Sequence, residues 1–218
     1  MSTTVMEKMS LEHFNALMDL VDTHASTALG MIGSGFSGSL PTISLGTLTD
    51  DATASSAEAR AAALATLPRA AGVALKIHRD TTVKNINVLK KHSKSTTAAH
   101  VKKIQAEQNT DPEQKKFEAD LDAQAKKNVA DYTKDQETIK AKLKAIGRAN
   151  PAARPAIVAG FAEVSNVLLS KIHEITVFFI GLGAKVIQLV VRAVQFVEDK
   201  FVGIVTDIGK ALSSLNPF

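Results

Sequence analysis

Residues 156–215 of this protein read AIVAGFAEVSNVLLSKIHEITVFFIGLGAKVIQLVVRAVQFVEDKFVGIVTDIGKALSSL. Polar residues recur there mostly every three, four or seven positions, which fits the period of an α-helix. The other positions carry Val, Ile, Leu, Phe and Ala, so the apolar surface is much wider than the stripe of about 100° on an ordinary surface helix. The pattern predicts one long helix over 156–215, roughly 90 Å long if it is continuous. Its polar positions are Glu163, Asn166, Ser170, Glu174, Gly181, Lys185, Gln188, Arg192, Gln195, Asp199, Thr206, Lys210 and Ser213.

The middle of this predicted helix is long enough to cross a lipid bilayer. Residues 175–197, ITVFFIGLGAKVIQLVVRAVQFV, exceed the roughly 20 residues that span about 30 Å of hydrocarbon. Large apolar side chains favour insertion by roughly 4–8 kcal/mol in total, whereas Lys185 and Arg192 oppose it by about 2.5–3.5 kcal/mol each when they lie deep. The sum is near zero. This balance is typical of a helix that stays covered in water and inserts when its neighbours leave; the alternative is the central helix of a soluble bundle.

Composition and length bound the class of protein. The 218 residues suffice for one elongated domain, 1–218, with a core. Cysteine is absent, which excludes disulfides, thiolate metal sites and cysteine nucleophiles. The N-terminus, MSTTVMEKMSLEH, lacks a basic region followed by an apolar run, so no secretory signal peptide is predicted. We therefore expect a cytoplasmic or non-classically exported protein that associates with membranes.

The net charge of +4 is unevenly distributed along the chain. Residues 1–62 lean acidic, whereas residues 69–104 contain nine basic side chains and a single acid, Asp80. Such a block indicates an anionic partner: lipid headgroups, nucleic acid or the chain's own acidic region. Nucleic acid is the weakest of these, because the block has no interleaved aromatic residues and no helix-turn-helix or zinc pattern. We assign headgroup binding to Lys76, Arg79, Lys84, Lys90, Lys91, Lys94, Lys102 and Lys103.

The N-terminal part of the chain predicts one helix and one unusual segment. Ser10 is an N-cap for an amphipathic helix over about 11–32, with Asp19 and Asp22 facing outward. Residues 25–49 contain no charged side chain and are dense in Gly and Ser after the helix. Such a segment contacts a membrane or packs under a partner, or it is a linker that merely lacks charge; the sequence leaves both interpretations open.

Two long polar helices are predicted next, over about 69–108 and 112–148, separated by a turn at 109–111. Each has a narrow apolar seam that favours coiled-coil-like packing. Because the turns are short, neighbouring helices should be antiparallel. The predicted fold class is therefore all-α, an elongated bundle of long antiparallel helices around a very apolar C-terminal helix. The seams are Val73, Ile77, Ile86, Leu89, Val101 and Ile104 in the first helix, and Phe117, Leu121, Ala125, Val129, Tyr132, Ile139, Leu143 and Ile146 in the second.

Motifs for catalysis, cofactors or metals are not found in the sequence. The pairs His13/His24 and His92/His100 lack the i, i+3 or i, i+4 spacing of a helical metal site, so they are interpreted as surface or seam histidines. Residues 33–38 match G-x-G-x-x-G in letters only, because they follow a helix rather than a strand and open no helix. We expect no enzyme activity, no cofactor and no metal.

These observations favour a membrane-active α-helical protein, with pore formation or cytolysis as one form of that activity. In general layout the chain is similar to α-helical pore-forming toxins, a likeness of architecture that implies no functional residues. We expect a homo-oligomer that contacts anionic lipid and uses Lys185, Gln188 and Arg192 as a polar stripe. The alternative is a non-lytic structural or coat protein. Predicted membrane contacts are Phe36, Phe178, Phe179, Ile180, Leu182, Val186, Ile187, Leu189, Val190, Val191 and Val194.

Overall fold

The computed structural model describes residues 9–34, 36–43, 65, 67–106, 111–186 and 193–212. In these ranges the chain forms five long α-helices and no strand, which confirms the predicted all-α bundle. A short 3-10 turn, Pro151–Ala153, joins the third helix to the fourth. The helices are α1 Leu11–Gly33, α2 Arg69–Gln105, α3 Asp111–Ala149, α4 Arg154–Val186 and α5 Ala193–Leu212.

Helix α1 begins where the sequence predicts. The side chain of Ser10 accepts a hydrogen bond from the backbone N–H of His13 at 3.0 Å, which satisfies one of the free donors of the first turn. Asp19 is exposed as predicted, whereas Asp22 is mostly covered, and the two form ion pairs with Lys144 and Lys140 of α3. The hydrogen bond from Lys144 lowers the pKa of the Asp19 carboxyl. The charges of α1 therefore fix its position along α3.

Helices α2 and α3 form an antiparallel hairpin, and α4 lies antiparallel to α3. Hydrogen bonds connect His78 with Gln136 near one end of the hairpin and His100 with Gln114 near the other. The predicted seam of α3 is buried except for Val129 and Ile146, which are partly buried. The turn from α3 into α4 is closed by Arg154, whose Nε donates to the carbonyl of Gly147 and whose Nη1 donates to that of Met9, at 3.0 and 2.7 Å.

The seam predicted for α2 is wrong in its first two turns. Val73 and Ile77 are 45% and 46% exposed, and the face that packs against the bundle carries small and polar residues instead. The pattern of apolar residues at helical spacing predicts a buried face from apolar residues alone, so a seam built partly from Ser, Thr and His was not predicted. The residues buried along α2 are Ala71, Ala74, Leu75, His78, Thr82, Ile86, Leu89, Ser93, Thr97, His100 and Val101.

The single helix predicted over 156–215 is replaced by two helices, α4 and α5. Lys171 of α4 forms an ion pair with Asp207 of α5 at 2.9 Å. In one continuous helix these residues, 36 positions apart, would be about 54 Å from each other. Helix α5 therefore runs back along α4 and covers it, as well as packing on α2. In the sequence, the apolar surface is too wide for two neighbouring helices to cover. The chain's own C-terminal helix, α5, covers part of it.

Phe161 lies at the centre of this packing and has no exposed surface. Replacing it with alanine is expected to lower the free energy of unfolding by about 3–5 kcal/mol, because the removed ring leaves a cavity that the helices around α4 fill only in part. Urea unfolding followed by far-ultraviolet circular dichroism measures the loss. Val202→Ala is the control, since Val202 is 53% exposed and its truncation should change stability by less than about 0.5 kcal/mol. Equal effects of the two variants would contradict a core position for Phe161.

Candidate functional site

The first part of α4 is an apolar helix enclosed on nearly all sides. From Ala156 to Thr176 most of its side chains are buried, and it contacts α1, α2, α3 and α5. Within the described residues, the stretch Pro151–Phe178 is the one that is long and apolar enough to cross a membrane by length and composition. Two thirds of its most apolar part are buried, 67%, as in the core helix of a soluble protein. Its apolar surface is therefore present but covered.

A short strap, residues 36–43, lies over α1 and α4. His24 of α1 contacts the carbonyl oxygen of Pro41 through Nε2 at 2.9 Å, and His173 of α4 contacts that of Phe36 at 2.8 Å. The side chain of Asn166 donates to the carbonyl of Ile43 at 2.9 Å and accepts from its N–H at 3.0 Å. This part of the uncharged segment 25–49 therefore packs on the protein itself. Residues 44–49 lie outside the described part of the chain.

Ion pairs near the middle of α4 connect it with α5. Glu174 pairs with Lys171 on its own helix and with Lys200 of α5, and Lys171 also reaches Asp207. Next to them, the rings of Phe178 and Phe201 meet edge to face with centroids 6.1 Å apart. These ion pairs connect α5 with α4, and of their four residues only Glu174 belongs to the predicted polar line.

One face of α2 is basic and apolar at the same time. Lys76, Lys84, Lys91 and Lys102 are exposed, and none of them pairs with an acidic side chain among the described residues. Between them lie three exposed large apolar residues, Val73, Ile77 and Val88, the last of them 61% exposed. At 100° per residue all seven fall within an arc of about 120°. We call this arc, formed by the four lysines and the three apolar residues, the basic surface.

The other four predicted headgroup residues are placed differently. Arg79 donates two hydrogen bonds to Asp80, at 2.9 and 2.8 Å. Lys90, Lys94 and Lys103 are half-buried, and each has an interaction of its own. Arg79, Lys90 and Lys103 therefore lie outside the arc of the basic surface, and Lys94 lies at its edge but is half-buried.

Most of the predicted membrane contacts lie outside the residues or side chains that the structure describes. Phe178 is half-buried against α5, and Phe36 is 37% exposed in the strap, with its ring stacked 6.2 Å from that of His173. The structure therefore does not bring these two phenylalanines together with the basic surface. The residues outside the described positions or described side chains are Phe179, Ile180, Leu182, Lys185, Val186, Ile187, Gln188, Leu189, Val190, Val191, Arg192 and Val194.

A buried polar junction joins α2, α3 and α4, and the sequence interpretation missed it. Nε2 of His78 lies 3.0 Å from Oε1 of Gln136, and Nε2 of Gln136 donates to Oγ of Ser165 at 2.9 Å. All three residues are at most 1% exposed. The ring of Tyr132 lies against that of His78, with centroids 5.2 Å apart, and burial raises the pKa of its hydroxyl. The helical period alone predicts that His78 is buried, because it lies on the same face of α2 as Thr82, Ile86 and Leu89.

The described residues were also compared with the arrangements that bind metals or small molecules. Among the described residues no group of three or more His, Asp or Glu side chains could hold a metal ion. An open groove of about 290 Å³ between α2 and α3 is lined by Thr96, His100, Phe117 and Asp120, among others. No protein-family model, curated protein or solved structure matches this chain. A functional proposal therefore has to rest on the helices and surfaces themselves.

Proposed function

We propose that this protein binds anionic lipid membranes through the basic surface of α2 and then inserts α4 once the helices that enclose it move away. The single observation that carries the proposal is the composition of the basic surface. Four exposed lysines, with no acidic partner among the residues that the structure describes, share one helical arc with three exposed large apolar side chains. Pore formation by several assembled copies is the form of this activity that we propose to test.

The basic surface has the chemistry of an interfacial helix. Each lysine near an anionic bilayer contributes about 1 kcal/mol of attraction to lipid headgroups. Val73, Ile77 and Val88 can enter the boundary between headgroups and acyl chains, where their apolar surface leaves water. A face that only solubilises the protein has no need of these exposed apolar residues, although single ones are ordinary on protein surfaces. Their grouping with unpaired lysines favours lipid as the partner.

Helix α4 supplies the apolar element for the second step. From Pro155 to Ser170 its only charged residue is Glu163, so its entry into hydrocarbon meets little electrostatic opposition over that length. In water the same surface must stay covered, and α1, α2, α3, α5 and the strap cover it. Binding to a membrane therefore has to precede or accompany the opening of the bundle.

Because the chain contains no tryptophan, a Phe178→Trp variant provides one fluorescent probe on α4 at a half-buried position. The experiment mixes it with vesicles of phosphatidylcholine alone or with phosphatidylserine, each with and without brominated acyl chains, and measures flotation, dye release and tryptophan quenching. We expect flotation, release and quenching with the anionic vesicles. If the protein does not float with any of these vesicles, membrane binding is refuted.

A second candidate function is a non-lytic structural or coat protein, and the burial of most side chains from Ala156 to Thr176 of α4 favours it. In that case α4 remains a core helix, and the basic surface lies flat on an anionic membrane or polymer. Flotation without dye release and without quenching of the tryptophan at position 178 would select this function over insertion.

A further inference from the structure

We propose that the junction of His78, Gln136 and Ser165 is an acid-sensitive latch that holds α2 on α3 and α4. The role of this latch in membrane insertion rests on the proposed function, whereas its opening can be measured without any lipid. The proposal starts from the place of the imidazole. The imidazole is fully buried where three helices meet. The side chains that form the hydrogen bonds of the junction with it, Gln136 and Ser165, are neutral.

The hydrogen bonds of the junction fix the protonation state of His78. Oε1 of Gln136 is an acceptor, because Nε2 of the same amide donates to Ser165. Nε2 of His78 must therefore carry the proton and donate it to Gln136. In the neutral imidazole Nδ1 is then the unprotonated nitrogen, and this buried atom has no hydrogen-bond partner among the described residues. A second proton could only go to Nδ1, where it would create a buried cation with an unsatisfied N–H.

No neighbouring charge offers compensation for such a cation. None of the described carboxylates lies within 4 Å of the His78 ring nitrogens. Burial lowers the pKa of His78 to about 4, and the hydrogen bond to Gln136 offsets only part of this effect. Titratable or charged groups on the surrounding elements include Arg79 and Asp80, paired with each other on α2; Tyr132 and Asp135 on α3; Asp22 on α1, paired with Lys140; Glu163 on α4, two residues from Ser165 and with an interaction of its own; and Lys171 on α4, paired with Glu174 and with Asp207 of α5, which also carries Lys210.

Acid should therefore favour the open state. In an open junction the imidazole meets water and regains its ordinary pKa of 6.5, so the open state binds the additional proton more readily than the closed state. The stability that the neutral imidazole contributes is fully present above pH 6.5 and is lost as the pH falls from 6.5 through about 4. Across this window the equilibrium constant for opening should rise on the order of 100-fold from His78 alone.

Other histidines of the bundle do not share this property. His24 and His173 contact backbone carbonyl oxygens of the strap near the surface, and a protonated imidazole can still donate to a carbonyl. Nε2 of His92 lies 2.9 Å from Oδ2 of Asp120, so a positive imidazole there gains an ion pair. His100 is buried in the same seam, with Nε2 2.8 Å from Oε1 of Gln114 and its ring stacked on Phe117, but it does not touch α4 in the described contacts. His78 is the one that joins three helices.

The chain carries its own reporter for the latch. Tyr132 is the only tyrosine, there is no tryptophan, and its ring lies against His78. Near-ultraviolet circular dichroism of Tyr132 should therefore lose intensity between pH 6.5 and pH 4 in lipid-free buffer, while the far-ultraviolet helix signal persists. In His78→Gln, whose amide stays neutral at these pH values, the midpoint should fall by at least one pH unit. His173→Gln is the matched control and should keep the wild-type midpoint.

Carboxylates also take up protons in this range, and the comparison of the two glutamine variants separates their effect from that of His78. If His78→Gln does not fold, hydrogen exchange of α2 amides in the wild-type protein at pH 7 and pH 4.5, corrected for intrinsic rates, replaces it; we expect protection in α2 to fall at least 10-fold more than in α1. An unchanged Tyr132 signal down to pH 4, equal midpoints in both variants, or equal loss of protection in α1 and α2 would each overturn the latch. None of these circular-dichroism or hydrogen-exchange measurements uses vesicles, so failure of the latch and failure of membrane binding are distinguishable.

Discussion

Replacing Lys76, Lys84, Lys91 and Lys102 together with glutamine should weaken binding to phosphatidylserine-containing vesicles on the order of 1000-fold. The reason is the loss of about 1 kcal/mol of headgroup attraction for each lysine, and every 1.4 kcal/mol corresponds to a factor of ten. All four side chains are exposed, so the substitutions should leave the fold intact. Flotation over a range of lipid concentrations at about 0.1 M salt measures the change, and binding by the wild-type protein should weaken as salt is raised.

A matched control is available on α3. Replacing the exposed lysines Lys115, Lys116, Lys134 and Lys142 with glutamine changes the net charge of the protein by the same amount. If affinity depends on the basic surface of α2, this control should retain most of the binding. An equal loss in both variants would show that only net charge matters, and the assignment of the membrane contact to α2 would then be wrong.

Linking α2 covalently to α3 should abolish dye release while vesicle binding continues. The sequence has no cysteine, so thiols introduced by His92→Cys and Asp120→Cys are the only ones available to a short bismaleimide. The side chains at these positions meet across the hairpin, with Nε2 and Oδ2 at 2.9 Å, and both are about 40% exposed. The link prevents α2 from leaving α3, but it does not alter the four lysines that we propose contact the membrane.

The control for this experiment is the same double variant treated with a monofunctional maleimide, which modifies both thiols without joining them. This sample should release dye as the unlinked protein does. Equal release from linked and unlinked protein would show that α2 and α3 stay together during membrane action, and the opening step would have to be placed elsewhere in the bundle.

Local patterns predicted much of the fold. Ser10 marked the start of α1 because its side chain can satisfy a free helix donor, and the structure shows that bond. The seam of α3 was predicted because Phe117, Leu121 and Tyr132 are apolar or aromatic residues at helical spacing among charged ones. The assignment of headgroup binding to Lys76, Lys84, Lys91 and Lys102 requires these side chains to be exposed, and all four are. Their role in binding lipid stays a prediction.

The seam of α2 could not be predicted in the same way. Burial of His78 depends on its hydrogen bond with Gln136 of α3. Ser93 donates to the carbonyl oxygen of Leu89 in its own helix, and Thr97 Oγ1 is buried without a hydrogen-bond partner among the described residues. A polar residue is stable in a core when a partner from another element reaches it, and the sequence of its own helix does not contain that information. Val73 and Ile77 are exposed because α2 turns the face that carries His78 toward the bundle.

The sequence by itself determined that this protein is a bundle of long helices with one very apolar segment, because helical period, capping residues and turn residues are local properties. Only the tertiary structure decided what covers that segment. The fold-back of α5 depends on ion pairs such as Lys171–Asp207, and the three-helix junction depends on His78 meeting Gln136 and Ser165. These contacts join residues far apart in the chain, so their partners meet only in the folded structure, and packing strengthens the hydrogen bonds of the buried junction by removing water from around them.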